Sequence, residues 1–424
     1  MRPGAVRIAN PFHCLRGGTG SLAIAVLATI LLSSACITPA QLSPGDSRAY
    51  EVSLAYIGGR PAVAWYGGTL QHEAIFMRHA SQAGRPRGPV LQLTDAARDA
   101  FEPSLQQVGG EALVAWYEQV GDGRSGGVRQ QIVLLARFDA QGKARWQRQL
   151  SAEDAKGRIP VVRVQGDVIH VAWVEQRAEA APVIRVASLD AAGQWLQKPR
   201  DAAVVGSNTW NLNATIGADG AFHVLYDAQA GTAANELHWL QVRGERIEDQ
   251  LISADDGKDS AYPDISLHGS RVAVTWFDAR DGNEEIYLRC ADLDASGAPP
   301  SDLRLDDGAA VRVSGTPGAS IGAYLIWHGD TLELAWTEIS GEQKTLLLQH
   351  FDRQCNAKEG PQQAAGSRGA AGIPSLAVSP AGFAVAWDEQ RRNASTRALH
   401  GHSRRISSVV RLRTWRKAAG STDD

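Results

Sequence analysis

An aromatic residue followed two positions later by an acid recurs through this chain: Trp116 with Glu118, Trp173 with Glu175, Trp276 with Asp278, Trp336 with Glu338 and Trp387 with Glu389. Arginine follows four positions after the aromatic in three of these places, as Arg177, Arg280 and Arg391. Such charges gathered on one face would grip a polar partner. The competing reading is a set of acid–arginine pairs that pin a loop in each repeated unit, each worth only ~0–1 kcal/mol where exposed. A residue that recurs in every unit serves the unit, so positions that break the pattern are better candidates for chemistry. Ser207-Asn208-Thr209-Trp210-Asn211 stands where other units carry Glu-Pro, Ile-Pro or Tyr-Pro. An aromatic beside amides suits stacking on a sugar and hydrogen bonding to its hydroxyls. Phe101 and Tyr262 fall in similar loops, with core packing the competing fate of each. The candidate ligand-binding set is therefore Trp210, Asn211, Phe101, Tyr262, Asp278 and Arg280.

Other chemistries find little support. Asp278 to Glu285 offers enough oxygens for calcium, but Arg280 interrupts the run and EF-hand spacing is absent, which favours a solvated turn. His170, His223, His268, His328 and His350 show no metal-ligand spacing. No nucleophile elbow, phosphate-binding loop or dinucleotide fingerprint occurs. We therefore expect no metal, no cofactor and no nameable catalytic residue. A formal net charge of −3 leaves no footprint for nucleic acid.

These residues are positioned by a repeat. Aligning on the aromatic gives Trp65, Trp116, Trp173, Tyr226, Trp276, Trp336 and Trp387, a period of about fifty residues. Proline stands thirteen residues earlier at Pro103, Pro160, Pro263 and Pro374, where it suits the first residue of a strand. Glycine stands seven residues earlier at Gly58, Gly109, Gly166, Gly269 and Gly329, as a hairpin-turn signal. The second strand carries the aromatic, as in Ile169-His170-Val171-Ala172-Trp173, with the period-2 alternation of a packed strand. A third strand ends in Asp with Gly three residues on: Asp139 and Gly142, Asp190 and Gly193, Asp294 and Gly297. A fourth closes each unit, for example at Leu303-Arg304-Leu305 and Ile406 to Leu412. Four antiparallel strands in each of seven units predict an all-β, seven-bladed β-propeller, with six or eight blades as alternatives. In this register Cys290 falls mid-strand and Cys355 in the next unit's turn, at the glycine position. The two therefore read as unpaired small apolar residues.

The N-terminus reads as a targeting segment. Arg2, Arg7 and Arg16 are its only charges, and an apolar run spans Leu22 to Leu32. Removing residues 1–35 takes 3 arginines from the 43 basic residues and none from the 46 acids. Leu32-Ser33-Ser34-Ala35-Cys36 resembles a bacterial lipoprotein signal, with its usual Leu displaced by one position. The resemblance implies cleavage before Cys36 and lipidation, with palmitate among the acyl chains. Ile37, rather than the Asp that would retain an enteric lipoprotein at the inner membrane, favours an outer-membrane address facing the periplasm. The expected organisation is a signal peptide at 1–35, a lipidated Cys36 with polar tether to 49, a propeller over 50–415 and a polar tail over 416–424.

Ser188-Leu189-Asp190-Ala191-Ala192-Gly193-Gln194-Trp195 resembles the Asp-box of sialidase-like propellers, with one extra residue between Asp and Gly. Phe138-Asp139 through Trp146 is a looser copy, and Trp276 to Tyr287 looks like repeats of sialidase-related propellers. Membership would imply glycan hydrolysis only with the family's catalytic set: an arginine triad, a Tyr–Glu nucleophile pair and an Asp acid/base. No residue matches it, and Gly59-Arg60-Pro61 lacks the Ile of the family's Arg-Ile-Pro signature. The expected function is accordingly that of a lipid-anchored, monomeric envelope propeller, not an enzyme, which binds a protein or envelope component. The alternative is a diverged sialidase-like glycoside hydrolase or a glycan-binding lectin.

Overall fold

The computed structural model describes residues 39–416 apart from 46, 69–71, 96, 121–129, 179, 207–208, 230–233, 307, 365–368 and 393–405. Cys36 and the signal segment, Ser207, Asn208, the side chain of Arg391 and the tail after 416 lie outside the described residues. All named elements are β-strands.

The strands form successive antiparallel sheets in chain order. The first sheet comprises Arg48–Ile57, Arg60–Gly68, Glu73–Ala80 and Pro86–Gln92, and the second Asp99–Val108, Glu111–Val120, Gln130–Phe138 and Ala144–Gln149. The third comprises Ala155–Gln165, Val168–Arg177, Val183–Asp190 and Trp195–Val204, joined to the second by one parallel bridge from Lys156 to Gln131. Leu212–Ile216, Phe222–Gln229, Asn235–Arg243 and Arg246–Leu251 build the fourth. The fifth holds Ser260–His268, Arg271–Asp278, Glu285–Asp292 and Val311–Arg312; the sixth holds Ala319–His328, Thr331–Ser340, Gln343–Phe351 and Gln362–Gln363. In the last sheet Ser375–Ser379, Gly382–Arg392 and Ile406–Arg416 are followed by Ala40–Gln41 from the other end of the chain.

Two sequence assignments change here. Leu303-Arg304-Leu305 is not the outer strand of the fifth sheet; Val311–Arg312 pairs there instead. Leu303 and Leu305 are buried in the core between the fourth and fifth sheets, where their side chains are worth more than a ladder position. Ile406–Arg416 is a third strand, because the outer place is taken by Ala40–Gln41. The stretch read as a polar tether is thus partly built into the fold: Leu42 is buried, its N–H donates to the Val410 carbonyl, and the Val410 N–H donates to Ser43 Oγ.

Each repeating tryptophan fills the space between its own sheet and the one before it. Trp116 packs among Ala62, Ala64, Ile75 and Met77, and Trp173 among Leu113, Ala115 and Leu135. Trp65 of the first sheet packs against Ala384, Ala386, Val410 and Leu412 of the last. All six are at most 2% exposed. The first strands of neighbouring sheets lie side by side, and that of the first sheet also lies beside that of the last.

The turns after the third strands share one geometry. Asp190 Oδ1 accepts from the N–H groups of Ala192 and Gln194, as Asp139, Asp294 and Asp352 do from residues two and four further on. The following glycines have φ of 79°, 77° and 73° at Gly142, Gly193 and Gly297. A Cβ at Gly193 would lie 2.7–2.9 Å from the Trp146 ring of the preceding sheet. Gly193→Ala should therefore cost about 2 kcal/mol in urea unfolding, combining left-handed strain with displacement of Trp146.

The same geometry corrects the reading of the cysteines. Cys290 and Cys355 form a disulfide, with Cα atoms 5.8 Å apart. Cys355 occupies the glycine position of the fourth such turn at φ 64°. A side chain there points at the preceding sheet rather than into solvent, and the preceding sheet presents Cys290.

Candidate ligand site around the inner strands

The inner strands are kinked at a common register. The antiparallel ladder slips between Tyr50 and Ser53, Phe101 and Ser104, Arg158 and Val161, Ala261 and Asp264, and Ile321 and Tyr324. The bulged residues Glu51, Glu102, Ile159, Tyr262 and Gly322 all adopt left-handed conformations, with φ between 46° and 60°. Pro103, Pro160 and Pro263 follow directly, so they sit within strands and not at their first residues. A bulge leaves residues out of the ladder, which is why proline's missing N–H is tolerated there. Left-handed backbone is uncommon for side chains other than Gly, Asn and Asp, and four of these five positions have other residues.

The N–H groups released by the bulges are met by carboxylates from the preceding sheet. The Tyr262 N–H donates to Asp227 Oδ2 at 2.9 Å and the Ile159 N–H to Glu102 Oε2 at 2.9 Å. The Glu51 N–H is bonded to Asp388 across the junction of the last and first sheets. Asp227 Oδ1 also accepts from the backbones of Trp210 and Asn211, so one buried carboxylate positions both aromatic neighbours. Burial pushes Asp227 and Asp388 up to about 6 despite these donors.

The inner strands enclose a cavity of about 370 Å³, with every one of them contributing to its lining. Glu51, Glu102, Trp210, Asn211, Tyr262 and Tyr324 are on its wall. Glu51 is exposed to the cavity yet encircled by protein, and this desolvation together with the neighbouring Glu102 pushes its carboxyl up to about 8. Desolvation also raises Glu102, against the pull of the Ile159 N–H and Arg158. Asp264, wholly buried, is pushed up to about 7, held back by the Leu325 N–H and Arg163. Arg163 is itself lowered by burial.

Of the sequence candidates, Trp210, Asn211 and Tyr262 come together. The Trp210 ring is 6.3 Å from Tyr262 and 6.2 Å from Phe277, and it is 36% exposed. Phe101 stays outside the wall, edge-on to Tyr66 and stacked on Tyr117, each at 5.3 Å, beside its neighbour Glu102. Asp278 and Arg280 lie elsewhere and serve the scaffold. Asp278 accepts the Trp276 indole N–H at 3.0 Å and the Ser260 hydroxyl at 2.9 Å, while Arg280 pairs with it and covers Tyr287. Trp116 with Glu118, Trp173 with Glu175 and Trp336 with Glu338 repeat that indole–carboxylate bond at 3.0–3.4 Å. These four acids stand on strands, not in connecting loops, where they supply an acceptor for the indole N–H two residues away; Glu389 instead pairs with Arg411. Glu51 and Glu102 were not legible as site residues. Their only signal is a place just before the proline register. Among the described residues no three His, Cys, Asp or Glu side chains gather as a metal site.

The arrangement of sheets matches solved structures. The phage phi92 endosialidase aligns with a TM-score of 0.51 at 10% identity, over 91% of this chain and 70% of that one. The fold is a sialidase-like β-propeller. A subtype N11 neuraminidase-like protein of a flat-faced bat strain aligns over 91% of this chain and 92% of that one, at 10% identity and a TM-score of 0.48, too low to carry an argument. No protein-family model matches the chain, nor does any curated protein sequence. At this identity the propeller's likeness extends to fold alone, and no catalytic residue is carried over with it.

Proposed function

We propose that the chain is an exported, lipid-anchored, seven-bladed β-propeller that binds an envelope glycan in its axial cavity without turning it over. The observation that carries the binding reading is the convergence on one cavity of acids and an aromatic from the bulges with Trp210, which departs from the repeat. Glu51, Glu102 and Tyr262 hold left-handed backbone with side chains that disfavour it, and Trp210 is exposed beside Tyr262. Strain of this kind persists where surrounding structure enforces it, and it clusters at ligand sites. An aromatic face with amides and carboxyls in a cavity of this size suits a sugar ring or two.

The count of seven blades is supported by the cycle of inner strands and by Trp65 packing onto the last sheet. Export is supported by the Cys290–Cys355 disulfide, since such bonds persist in oxidising compartments. Lipidation rests on Cys36 following Ala35, and base-stable palmitate labelling that disappears in Cys36→Ala is the expected result.

Glycan-array screening of the purified chain should give defined hits, and Trp210→Ala should weaken each about 10–100-fold, as loss of one stacking face implies. Failure of any glycan to bind, with an envelope protein captured instead, would replace this reading. One observation favours hydrolysis as a second reading: Glu51, at about 8, stays protonated at neutral pH next to Glu102. A proton donor beside a second carboxyl is what glycoside cleavage requires. Turnover of aryl glycosides abolished by Glu51→Gln would establish that reading over simple binding.

A further inference from the structure

We propose that the axial cavity selects an amine-bearing sugar, with the nitrogen free and cationic, over acidic or N-acylated sugars. This rests on the glycan-binding reading above and names the class of ligand within it.

Acids outnumber bases among the ionisable groups of the lining, with Glu51, Glu102 and Asp264 against Arg163. Glu51 and Glu102 both line the cavity, near enough that Glu102 disfavours ionisation of Glu51, and Asp264, faced by Arg163, is a third carboxyl in the lining. The arginine that reaches the lining is already engaged. Arg163 donates through Nε to the Ala214 carbonyl at 2.6 Å, through Nη1 to Val162 at 2.9 Å and through Nη2 to Asn213 Oδ1 at 2.6 Å. Nearby, Arg158 donates through Nη1 to the Thr209 carbonyl at 2.7 Å. A sugar carboxylate entering here would meet acids, with the wall's guanidinium turned to backbone and amide oxygens.

The aromatic side of the cavity points the same way. Trp210, Tyr262 and Phe277 form a mutually packed group with centroids 5.8–6.3 Å apart. Asp227 fixes the backbones of Trp210, Asn211 and Tyr262 through one N–H donor from each. Electron-rich ring faces beside carboxylates form the usual cage for an ammonium, which gains both cation–π attraction and charge pairing. Entry of the ammonium would draw the protonated Glu51 into its charged form beside it, which an N-acetylated sugar cannot do.

Calorimetric titration at pH 6.5 with fully deacetylated chitotetraose and with its N-acetylated counterpart tests the assignment. The deacetylated oligomer should bind at least 30-fold more tightly. Glu102→Gln should cut that preference at least tenfold while leaving the melting temperature nearly unchanged, because the amide oxygen can still accept the Ile159 N–H. Glu51→Gln should do the same, and Trp210→Ala should weaken both oligomers. Equal affinity for the two oligomers, or tighter binding of sialyllactose, would overturn the amine preference while glycan binding stood. If no sugar of any kind bound, the glycan reading itself would fall with it.

Discussion

Replacing Cys290 and Cys355 together by alanine should lower the stability of the propeller by about 4 kcal/mol, within the range of about 2–5 kcal/mol seen when native disulfides are removed. The bond joins residues 65 apart in sequence, and a loop of that length gives this figure when its closure entropy is charged to the unfolded chain. Its location makes the effect matter. The outer strands of the fifth and sixth sheets are only 2 residues each, Val311–Arg312 and Gln362–Gln363. The disulfide stitches these two sheets together where their own ladders are thinnest. Urea midpoints measured with and without reductant provide the check. The native chain should lose stability once reduced in the unfolded state, and the double variant should be indifferent to reductant. Both cysteines are buried, at 5% and 3% exposure, so the folded protein should resist reduction for as long as it stays folded. Equal midpoints for variant and native chain under oxidising conditions would show that the bond adds nothing to the ring.

How far the sequence could be read depended on whether a residue's role was periodic. The tryptophans recur because each wedge between sheets must be filled, so their spacing alone revealed the architecture. The turn register was equally legible, down to Cys355 standing at a glycine position. Its direction was not: a turn looks solvent-facing in sequence, whereas a side chain at this left-handed position strikes the preceding sheet, as the approach of a Cβ at Gly193 to Trp146 shows. Trp210, Asn211 and Tyr262 were found because they depart from the repeat. Glu51 and Glu102 were missed among 46 acids because nothing in their own chemistry announces a bulge. Glutamate is not a residue that favours left-handed backbone, and the proline that follows Glu102 reads as a strand start until the ladder is seen to slip around it. The acids two residues after tryptophan misled for the opposite reason. They are periodic, which made them conspicuous, and for four of the five the partner is the indole N–H of the same strand, while Glu389 pairs with Arg411.

Stability should fall by about 2–3 kcal/mol between pH 6 and pH 9, with the melting temperature highest near pH 5–6. The cause is a set of acids raised by burial. Asp264 and Glu236 are both pushed up to about 7. A carboxyl whose folded value exceeds its unfolded one binds more protons in the native state, so its contribution is full below the unfolded value and is lost as pH rises through the folded value. Each retains about one unit of that loss above pH 6, worth about 1.4 kcal/mol per unit. Glu51 adds in the same direction but is discounted, because water reaches it. His350, raised by Glu333 and Glu359, gives up its charge with rising pH and also subtracts stability. His223, lowered to about 4 by burial, acts on the other limb: its stabilisation is present above the unfolded value and is lost as pH falls toward 4. Glu236 identifies why the upper limb exists. Its Oε2 accepts from Ser253 at 2.5 Å, while Oε1 meets no protein partner among the described residues. One sheet on, Glu285 accepts from Ser314 in the same way, but its other oxygen is held by Arg312 and Asn283. At the position matching Arg312 the fourth sheet has Leu251, so the charge on Glu236 is left uncompensated and Asp255 and Asp256 repel it further. Glu236→Gln should therefore flatten the slope and raise the melting temperature at pH 9 but not at pH 5. A melting temperature that holds level or rises from pH 6 to pH 9 would mean that these carboxyls are relieved by groups other than protons.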